Sequence, residues 1–230
     1  MFVNGINIEI IKGDIATVAA DAYVVPQYRD HISTDGVSGR LLHSSAFRAV
    51  LDYGEAAHYM NYPFGYAVSF ADSSAMCKRV ICAVLLGMPQ DEAFELVQMA
   101  VYFALREAEK HGLHEIAIPA LGTGDKMPLD FDKSAIAIVS ALAAYPNPRT
   151  VRRVVIPIVK SGRAYSRFRK AVRRYLRFVP YGLEEKAEIL DYKVVFSSGV
   201  NFASEYGVNK MLCPITGAAC VKTCCKIYCA

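Results

Sequence analysis

The sequence predicts an α/β fold in which helices cover both sides of a largely parallel or mixed sheet. Short apolar segments alternate along the chain with longer segments of helical periodicity, which is the usual pattern of such sheets. Residues 80–86 are apolar throughout, as expected for a strand that is buried on both faces. Hydrophobic residues make up 53% of the 230-residue chain and charged residues 21%, a composition that favours a globular protein over a disordered one.

Strands are predicted where the apolar segments are short or alternate with polar residues. In chain order, these segments are residues 7–12, 22–25, 67–70, 80–86, 115–119 and 151–159. The first alternates before it becomes apolar and leads directly into Gly13 and Asp14. The N-terminal residues before it have the character of a strand start.

Helices are predicted at residues 37–53, 91–111, 129–145 and 163–177, the first of these as one helix or two. The second has the clearest pattern, because its apolar residues recur at helical spacing. Asp91 and Glu92 favour its amino end, and Gly112 follows its last turn. Pro146 marks the end of the third helix because proline interrupts helical hydrogen bonding.

A domain boundary is predicted near residue 178, where the alternating pattern weakens. Residues 1–177 then form the α/β domain, and residues 178–230 form a C-terminal extension with a cysteine-rich tail. Four clustered thiolates are sufficient to hold zinc or an iron–sulfur cluster. The candidate metal ligands are Cys213, Cys220, Cys224 and Cys229, with Cys225 as a substitute. The alternative is a poorly ordered tail with reactive thiols.

The sequence disfavours a membrane protein, a protein with a signal peptide and a secreted disulfide-rich protein. No apolar run reaches the roughly 18–20 residues that a membrane helix needs. The first six residues lack the basic and apolar regions of a signal peptide. The cysteines crowd one end, whereas a secreted disulfide scaffold distributes them through the fold. We therefore expect a cytoplasmic protein that does not enter membranes; the sequence specifies no oligomeric state.

Three segments carry candidate binding chemistry at the predicted carboxyl ends of strands. The carboxylate of Asp14 could accept a hydrogen bond from an exocyclic amine such as that of adenine, or it could cap a helix. Residues 34–39 (TDGVSG) and 120–124 (ALGTG) are glycine-bearing loops that precede predicted helices. Backbone amides at helix amino ends suit phosphate, so two such loops suit a diphosphate. The alternative is a pair of ordinary tight turns.

In order and spacing, these segments resemble the macrodomain family over about residues 3–177, most strongly at residues 119–124 (PALGTG). The resemblance implies a three-layer α/β/α fold with a mixed, mostly parallel sheet. It also implies that the domain binds ADP-ribose, a related nucleotide or an ADP-ribosylated macromolecule, without a cofactor. It implies that Asp14 holds the adenine amine with help from the Ile15 backbone. It further implies that two loops hold the diphosphate and distal ribose, through Gly36, Val37, Ser38 and Gly39 on one side and Gly122, Thr123, Gly124 and Asp125 on the other.

The chain departs from the pattern of the hydrolytic members of this family. Those members follow the second strand with an Asn-Ala-Ala-Asn stretch, whereas residues 26–29 here are PQYR. Some members have a catalytic aspartate where Ser38 stands. The second loop normally continues with an aromatic residue and a glycine, whereas residues 125–128 here are DKMP. These departures argue against the common hydrolytic mechanism.

An atypical ADP-ribosyl hydrolase remains open as an alternative to a binding module. Its catalytic candidates are Asp35, Asp125 and Lys126, because they lie on the loops expected to flank the distal ribose. Each could equally be a solvated loop charge. Arg29 and Lys126 could instead contact phosphate, since cations pair well with it.

Positive charge is concentrated near the end of the α/β domain. From Arg149 to Arg177 there are eleven basic residues and no acidic one. In the predicted helix at 163–177, a basic stripe lies opposite the apolar face and includes Arg163, Arg167, Lys170 and Arg174. The stripe favours a third hypothesis, contact with nucleic acid or another polyanion. The alternative is an ordinary solvated helix face.

Overall fold

The fold was described from a computed structural model that places residues 1–43, 47–72, 77–124, 127–159 and 162–178. Asp125 and Lys126 lie outside the described residues, and so does the whole cysteine-rich tail. The proposed metal ligands and the C-terminal extension therefore stay predictions.

Within the described residues, seven strands form one sheet, in the order β1-β2-β7-β6-β3-β5-β4. Their bounds are Phe2–Val3 (β1), Ile6–Lys12 (β2), Ala22–Gln27 (β3), Ala67–Ala71 (β4), Arg79–Val84 (β5), Glu115–Ala117 (β6) and Arg153–Ile158 (β7). The five inner strands are parallel, while β1 and β4 are antiparallel to their neighbours. The mixed, mostly parallel sheet predicted from the sequence is confirmed.

Strand β1 is a short element that the sequence pattern did not delimit. It pairs with β2 through a two-residue turn in which Asn4 and Gly5 both have positive φ, at 49° and 77°. An Asn-Gly pair favours such a tight hairpin because both residues tolerate this backbone conformation. The dipeptide was thus a usable signal, although a two-residue strand carries too little periodicity to be recognised.

The part of the chain that the structure describes contains five α-helices: Gly36–Leu42 (α1), Phe47–Met60 (α2), Ala93–Lys110 (α3), Phe131–Ala144 (α4) and Gly162–Phe178 (α5). A short 3-10 helix, Ile15–Thr17, follows β2. All the predicted helices are present, and the segment at 37–53 contains parts of two. None of the helices in the described ranges is long and apolar enough to span a membrane.

The helices form two layers, one on each face of the sheet. Helices α1 and α2 pack on one face, over β3, β4 and β5, while α3, α4 and α5 pack on the other. Neighbouring residues of β3 alternate between the two cores: Tyr23 and Val25 lie in the core under α1 and α2, and Ala22 and Val24 lie in the opposite core. The predicted three-layer α/β/α class is confirmed.

The parallel strands determine where a functional site can form. The carboxyl ends of β2, β3, β6 and β7 lie at the same edge of the sheet because these strands are parallel. The segments that follow β2, β3 and β6 are those that the sequence singled out, beginning at Gly13, Tyr28 and Ile118. In open α/β sheets, ligands bind at this edge.

Candidate functional site

Asp14 lies between β2 and the 3-10 helix, and its carboxylate makes two contacts. One carboxylate oxygen, Oδ1, accepts a hydrogen bond from the Ala16 amide at 3.1 Å and caps the short helix. The other, Oδ2, lies 2.9 Å from Nε of Arg40 on α1. The interpretation of Asp14 as a helix cap is therefore confirmed for the 3-10 helix Ile15–Thr17. Because a carboxylate offers about four acceptor positions, capacity remains for a further donor.

The Asp14–Arg40 ion pair joins the segment after β2 to the helix that follows the first glycine loop. Both side chains are partly exposed, with relative areas of 27% for Asp14 and 41% for Arg40. Sequence reasoning missed Arg40, because an ion pair between residues 26 positions apart depends on the tertiary fold. The signal that could have found it is a cation one residue after Gly39, in the helix that faces the same edge.

The first glycine loop uses its glycines in two different ways. Gly36 begins α1 with a φ of +59°, and a Cβ atom there would meet nothing within 4 Å. Gly39 is buried, and a Cβ atom there would lie 2.1 Å from the Thr34 carbonyl oxygen. Gly36 is thus open to a ligand, whereas Gly39 allows the loop to pack against its own helix.

Gln27 braces this loop from the end of β3. Its side chain is fully buried; Nε2 donates to Ser38 Oγ at 2.8 Å, and Oε1 accepts from the Ser33 amide at 2.7 Å. Its backbone oxygen accepts from the amides of Leu85 and Leu86, both at 3.0 Å. The side chains at two of the departures from the hydrolytic pattern, Gln27 and Ser38, therefore form one buried hydrogen-bonded network. Ser38 is 1% exposed, and its hydroxyl is used within this network.

The two residues after Gln27 pack against neighbouring segments. Nε of Arg29 donates to the Tyr62 carbonyl at 3.2 Å, and its guanidinium lies 5.0 Å from the centre of the Phe64 ring. The Tyr28 ring stacks on His31 with ring centres 4.3 Å apart. Arg29 thus links the loop after β3 to the connection between α2 and β4. Contact of Arg29 with phosphate stays a prediction.

The second glycine loop is held in place by side chains and backbone. Gly122 has a φ of +80°, and its carbonyl accepts from the Leu129 amide at 2.9 Å. A Cβ atom at Gly122 would lie 2.9 Å from Leu129 Cδ1, so a larger residue would displace that side chain. Thr123 Oγ1 donates to the Ala120 carbonyl, and Ser134 Oγ to the Leu121 carbonyl, each at 2.7 Å. The loop is thus anchored from the strand side and from α4, and Gly124 at its end is exposed.

Asp35 is the catalytic candidate that falls within the described residues. It is exposed at the N-cap position of α1, and its carboxylate makes no capping hydrogen bond to the helix. Its backbone is fixed instead, because its amide donates to Ser33 Oγ at 3.2 Å and its carbonyl accepts from the Gly39 amide at 3.0 Å. In the described ranges, no group of three His, Cys, Asp or Glu side chains is arranged to hold a metal ion.

Two of the eleven basic residues are neutralised by acids from distant parts of the sequence. Arg153 lies 2.8 Å from Glu9 and 2.6 Å from Glu115, and Arg167 lies 2.9 Å from Asp132. The hydrogen bond from Arg153 lowers the pKa of Glu9, against a smaller opposing effect of burial. The local excess of positive charge in the sequence is therefore offset at these two positions. Strand pairing places Glu9 and Glu115 beside Arg153, and the packing of α4 on α5 places Asp132 beside Arg167. These acids are distant in the sequence from the arginines.

Comparison with known protein families found no matching family profile. A curated but uncharacterized protein of Pyrobaculum aerophilum is 28% identical to this chain over 180 residues, which cover 76% of this chain and 95% of that protein.

The chain is similar in fold to solved structures of macrodomains. A mutant of the Oceanobacillus iheyensis macrodomain, determined with ADPR, matches with a TM-score of 0.67 and 18% identity, over 77% of this chain and 97% of that one. The macrodomain of DarG from Thermus aquaticus matches with a TM-score of 0.55 and 16% identity, over 66% of this chain and 98% of that one. Both neighbours are matched over nearly their whole length, so the likeness concerns their complete fold.

Proposed function

Since the chain has the macrodomain fold, we propose that it binds ADP-ribose, free or attached to a macromolecule, at the carboxyl edge of its sheet. The observation that carries the proposal is the meeting of three features at this edge: the Asp14 carboxylate, the open Gly36 at the start of α1, and the anchored loop at Gly122. The Oceanobacillus iheyensis macrodomain mutant, a neighbour in fold, was determined with ADPR.

Each feature has a role that follows from its chemistry. Asp14 accepts a hydrogen bond from the adenine amine, while Arg40 and the Ala16 amide hold the carboxylate in one orientation. The amino end of α1 carries partial positive charge and an uncrowded glycine, which together favour the diphosphate. The loop at residues 120–124 follows β6, which is parallel to β3 and adjacent to it, and we assign this loop to the distal ribose.

Binding is favoured over hydrolysis by the buried Gln27–Ser38 network. The Ser38 hydroxyl, which stands where some hydrolytic macrodomains are expected to have an aspartate, is buried and accepts a hydrogen bond from Gln27. A general base needs to reach water or substrate, and a buried, neutral hydroxyl in this bond does not. Incubation with mono-ADP-ribosylated protein should therefore release no ADP-ribose. Release at a rate proportional to protein concentration would instead support the hydrolase alternative through Asp35, Asp125 or Lys126.

Calorimetric titration with ADP-ribose tests the binding proposal. The Asp14→Asn variant keeps a side-chain oxygen for the cap but loses the charge and presents an amide donor. A hydrogen bond to a charged group contributes about 1.5–3 kcal/mol, so affinity should fall roughly 10- to 100-fold.

The matched control is Asp52→Asn, because Asp52 also pairs with an arginine, Arg48, at 2.8 Å, but on the surface of α2. It should leave the affinity unchanged. Absence of heat with the wild-type protein, or equal effects of the two variants, would contradict the proposal.

A further inference from the structure

Helix α5 presents an almost entirely cationic outer face. Nine of its residues from 162 to 177 are exposed; two are Gly162 and Ser166, and the other seven are Arg163, Arg167, Arg169, Lys170, Arg173, Arg174 and Arg177. At 100° per residue, these seven side chains occupy one continuous arc of the helix surface. The basic stripe predicted from the sequence is thus exposed and is wider than four residues.

The opposite face of α5 fixes the helix to the domain. Ala164, Phe168, Val172 and Tyr175 are buried, with Phe168 and Val172 fully inaccessible, and the helix packs against α4 and β2. A helix that binds a membrane surface inserts its apolar face between lipids. Because the apolar face of α5 already lies in the core, a membrane is disfavoured as its partner.

Six of the seven cations have no acidic partner in the described part of the chain; Arg167, which contacts Asp130 and Asp132, is the exception. Six of the seven are also arginines. The planar guanidinium bonds phosphate through two parallel N–H groups, whereas lysine acts as a point charge. A face of this composition fits a row of phosphates.

Within residues 162–177, where burial is described, the exposed face also lacks the aromatic groups that recognise single strands. Proteins that bind single-stranded nucleic acid stack bases on exposed aromatic rings. On α5, Phe168 and Tyr175 are buried, and the partly buried Tyr165 ring lies under the Lys12 ammonium, 5.3 Å from the ring centre. From these observations we propose that the outer face of α5 binds the phosphate backbone of double-stranded nucleic acid without reading its sequence.

This surface is distinct from the candidate ADP-ribose site but adjoins it. The amino end of α5 lies beside the last residue of β2, since a Cβ atom on Gly162 would lie 3.6 Å from Lys12 Nζ. The two sites use different residues, so the proposal stands whether or not ADP-ribose binds.

Fluorescence anisotropy with the full chain and a labelled 20-base-pair DNA duplex tests the proposal at several salt concentrations. Each neutralised phosphate contributes roughly −0.9 to the slope of log K against log salt, so six cations predict a slope of about −5. The triple variant Lys170→Gln, Arg173→Gln, Arg174→Gln should bind about tenfold or more weakly, with a slope reduced by about half.

The matched control removes three exposed cations elsewhere, as Arg48→Gln, Arg106→Gln, Lys110→Gln. It has the same net charge as the α5 variant and should bind the duplex like the wild type. Thermal unfolding verifies that both variants fold, and ADP-ribose titration of the α5 variant should be unchanged.

Four outcomes would overturn the proposal: no duplex binding by the wild type, equal losses in the two triple variants, tighter binding of a single strand than of the duplex, or displacement of the duplex by anionic vesicles. A loss confined to the α5 variant, with the expected change in salt slope, would establish it.

Discussion

Gln27 is a single residue on which the shape of the first glycine loop depends. Replacing it with leucine leaves the Ser33 amide without its acceptor and Ser38 without its donor, both in a buried environment. Unsatisfied buried groups cost about 1–3 kcal/mol each, so the two groups together should lower the free energy of unfolding of Gln27→Leu by about 2–6 kcal/mol. It should also weaken ADP-ribose binding, because the first glycine loop loses the two hydrogen bonds that hold it in place. Urea unfolding and calorimetric titration measure the two effects.

Gln98 is the matched control for Gln27. It is also fully buried and donates to a serine hydroxyl, Ser140 at 2.7 Å, but between α3 and α4 on the far side of the sheet. Gln98→Leu should change stability without changing the affinity for ADP-ribose. Equal effects of both variants on affinity would show that Gln27 acts through general stability alone.

The two glycines of the first loop should respond differently to alanine. At Gly39 a Cβ atom would meet a backbone oxygen at 2.1 Å, so the loop and the helix must separate. At Gly36 space is free, and the cost is that of a left-handed backbone alone, about 1 kcal/mol. Thermal unfolding should show a large loss for Gly39→Ala and a small one for Gly36→Ala. Similar losses would contradict the close packing of Thr34 on α1.

Local sequence chemistry placed Asp14 after a strand and the two glycine loops between a strand and a helix, and the fold confirms these positions. Their role in binding stays a prediction. Local sequence chemistry was not enough to distinguish Gly36 from Gly39, since the two differ in what the fold places beside them. Gln27 looked like a departure from a family pattern. Its bracing role became visible only with Ser33 and Ser38 around it.

Helix α3 is joined by a carboxylate to the segment that precedes β7. Glu109 accepts hydrogen bonds from the amides of Arg149, Thr150 and Val151 at 2.9–3.1 Å. Burial by itself would raise the pKa of Glu109, but these amides together lower it. The contact therefore stabilises the protein while the carboxylate is ionised.

The pH dependence of stability should reveal this contact. Above about pH 5, Glu109 is ionised in both folded and unfolded chains, given an unfolded pKa near 4.3, and its full contribution is present. The contribution is lost as pH falls through the lowered folded pKa. The stability difference between wild type and Glu109→Gln should thus be constant from pH 7 to about 5 and shrink below about pH 4. Urea unfolding at several pH values measures it.

Glu55→Gln is the control, because Glu55 is exposed on α2. This variant should differ little from wild type at any pH, since exposed substitutions rarely change stability by more than about 0.5 kcal/mol. A Glu109→Gln difference that grows toward low pH would contradict the assigned contact.

The spacing of apolar residues predicted the longer strands and helices, because the apolar positions in these elements are the buried ones. Strand β5 is almost continuously buried, as the apolar run at 80–86 indicated. Helix α3 begins and ends within two residues of its predicted bounds. Strand β1 and the 3-10 helix are too short to show a repeating pattern of apolar residues, so the sequence pattern did not predict them. The order of strands was not predictable at this level, since it depends on pairing between distant segments.

At the scale of the molecule, the described core lies within residues 1–178. The predicted boundary near residue 178 implies that a chain ending there folds by itself. Its melting temperature and ADP-ribose affinity should match those of the full chain. A truncated chain that unfolds at a much lower temperature would show that the extension contributes to the core. Elemental analysis of the full chain tests the predicted metal ligands in the tail separately.

We propose that ADP-ribose lies across the carboxyl edge of the sheet, between the loops that begin α1 and precede α4. A crystal structure of the protein with ADP-ribose would test this position. We expect the adenine amine within hydrogen-bond distance of Asp14, and the diphosphate between the amides near Gly36 and those near Gly122. ADP-ribose bound elsewhere on the molecule, or lying at this edge without contact to Asp14, would contradict it.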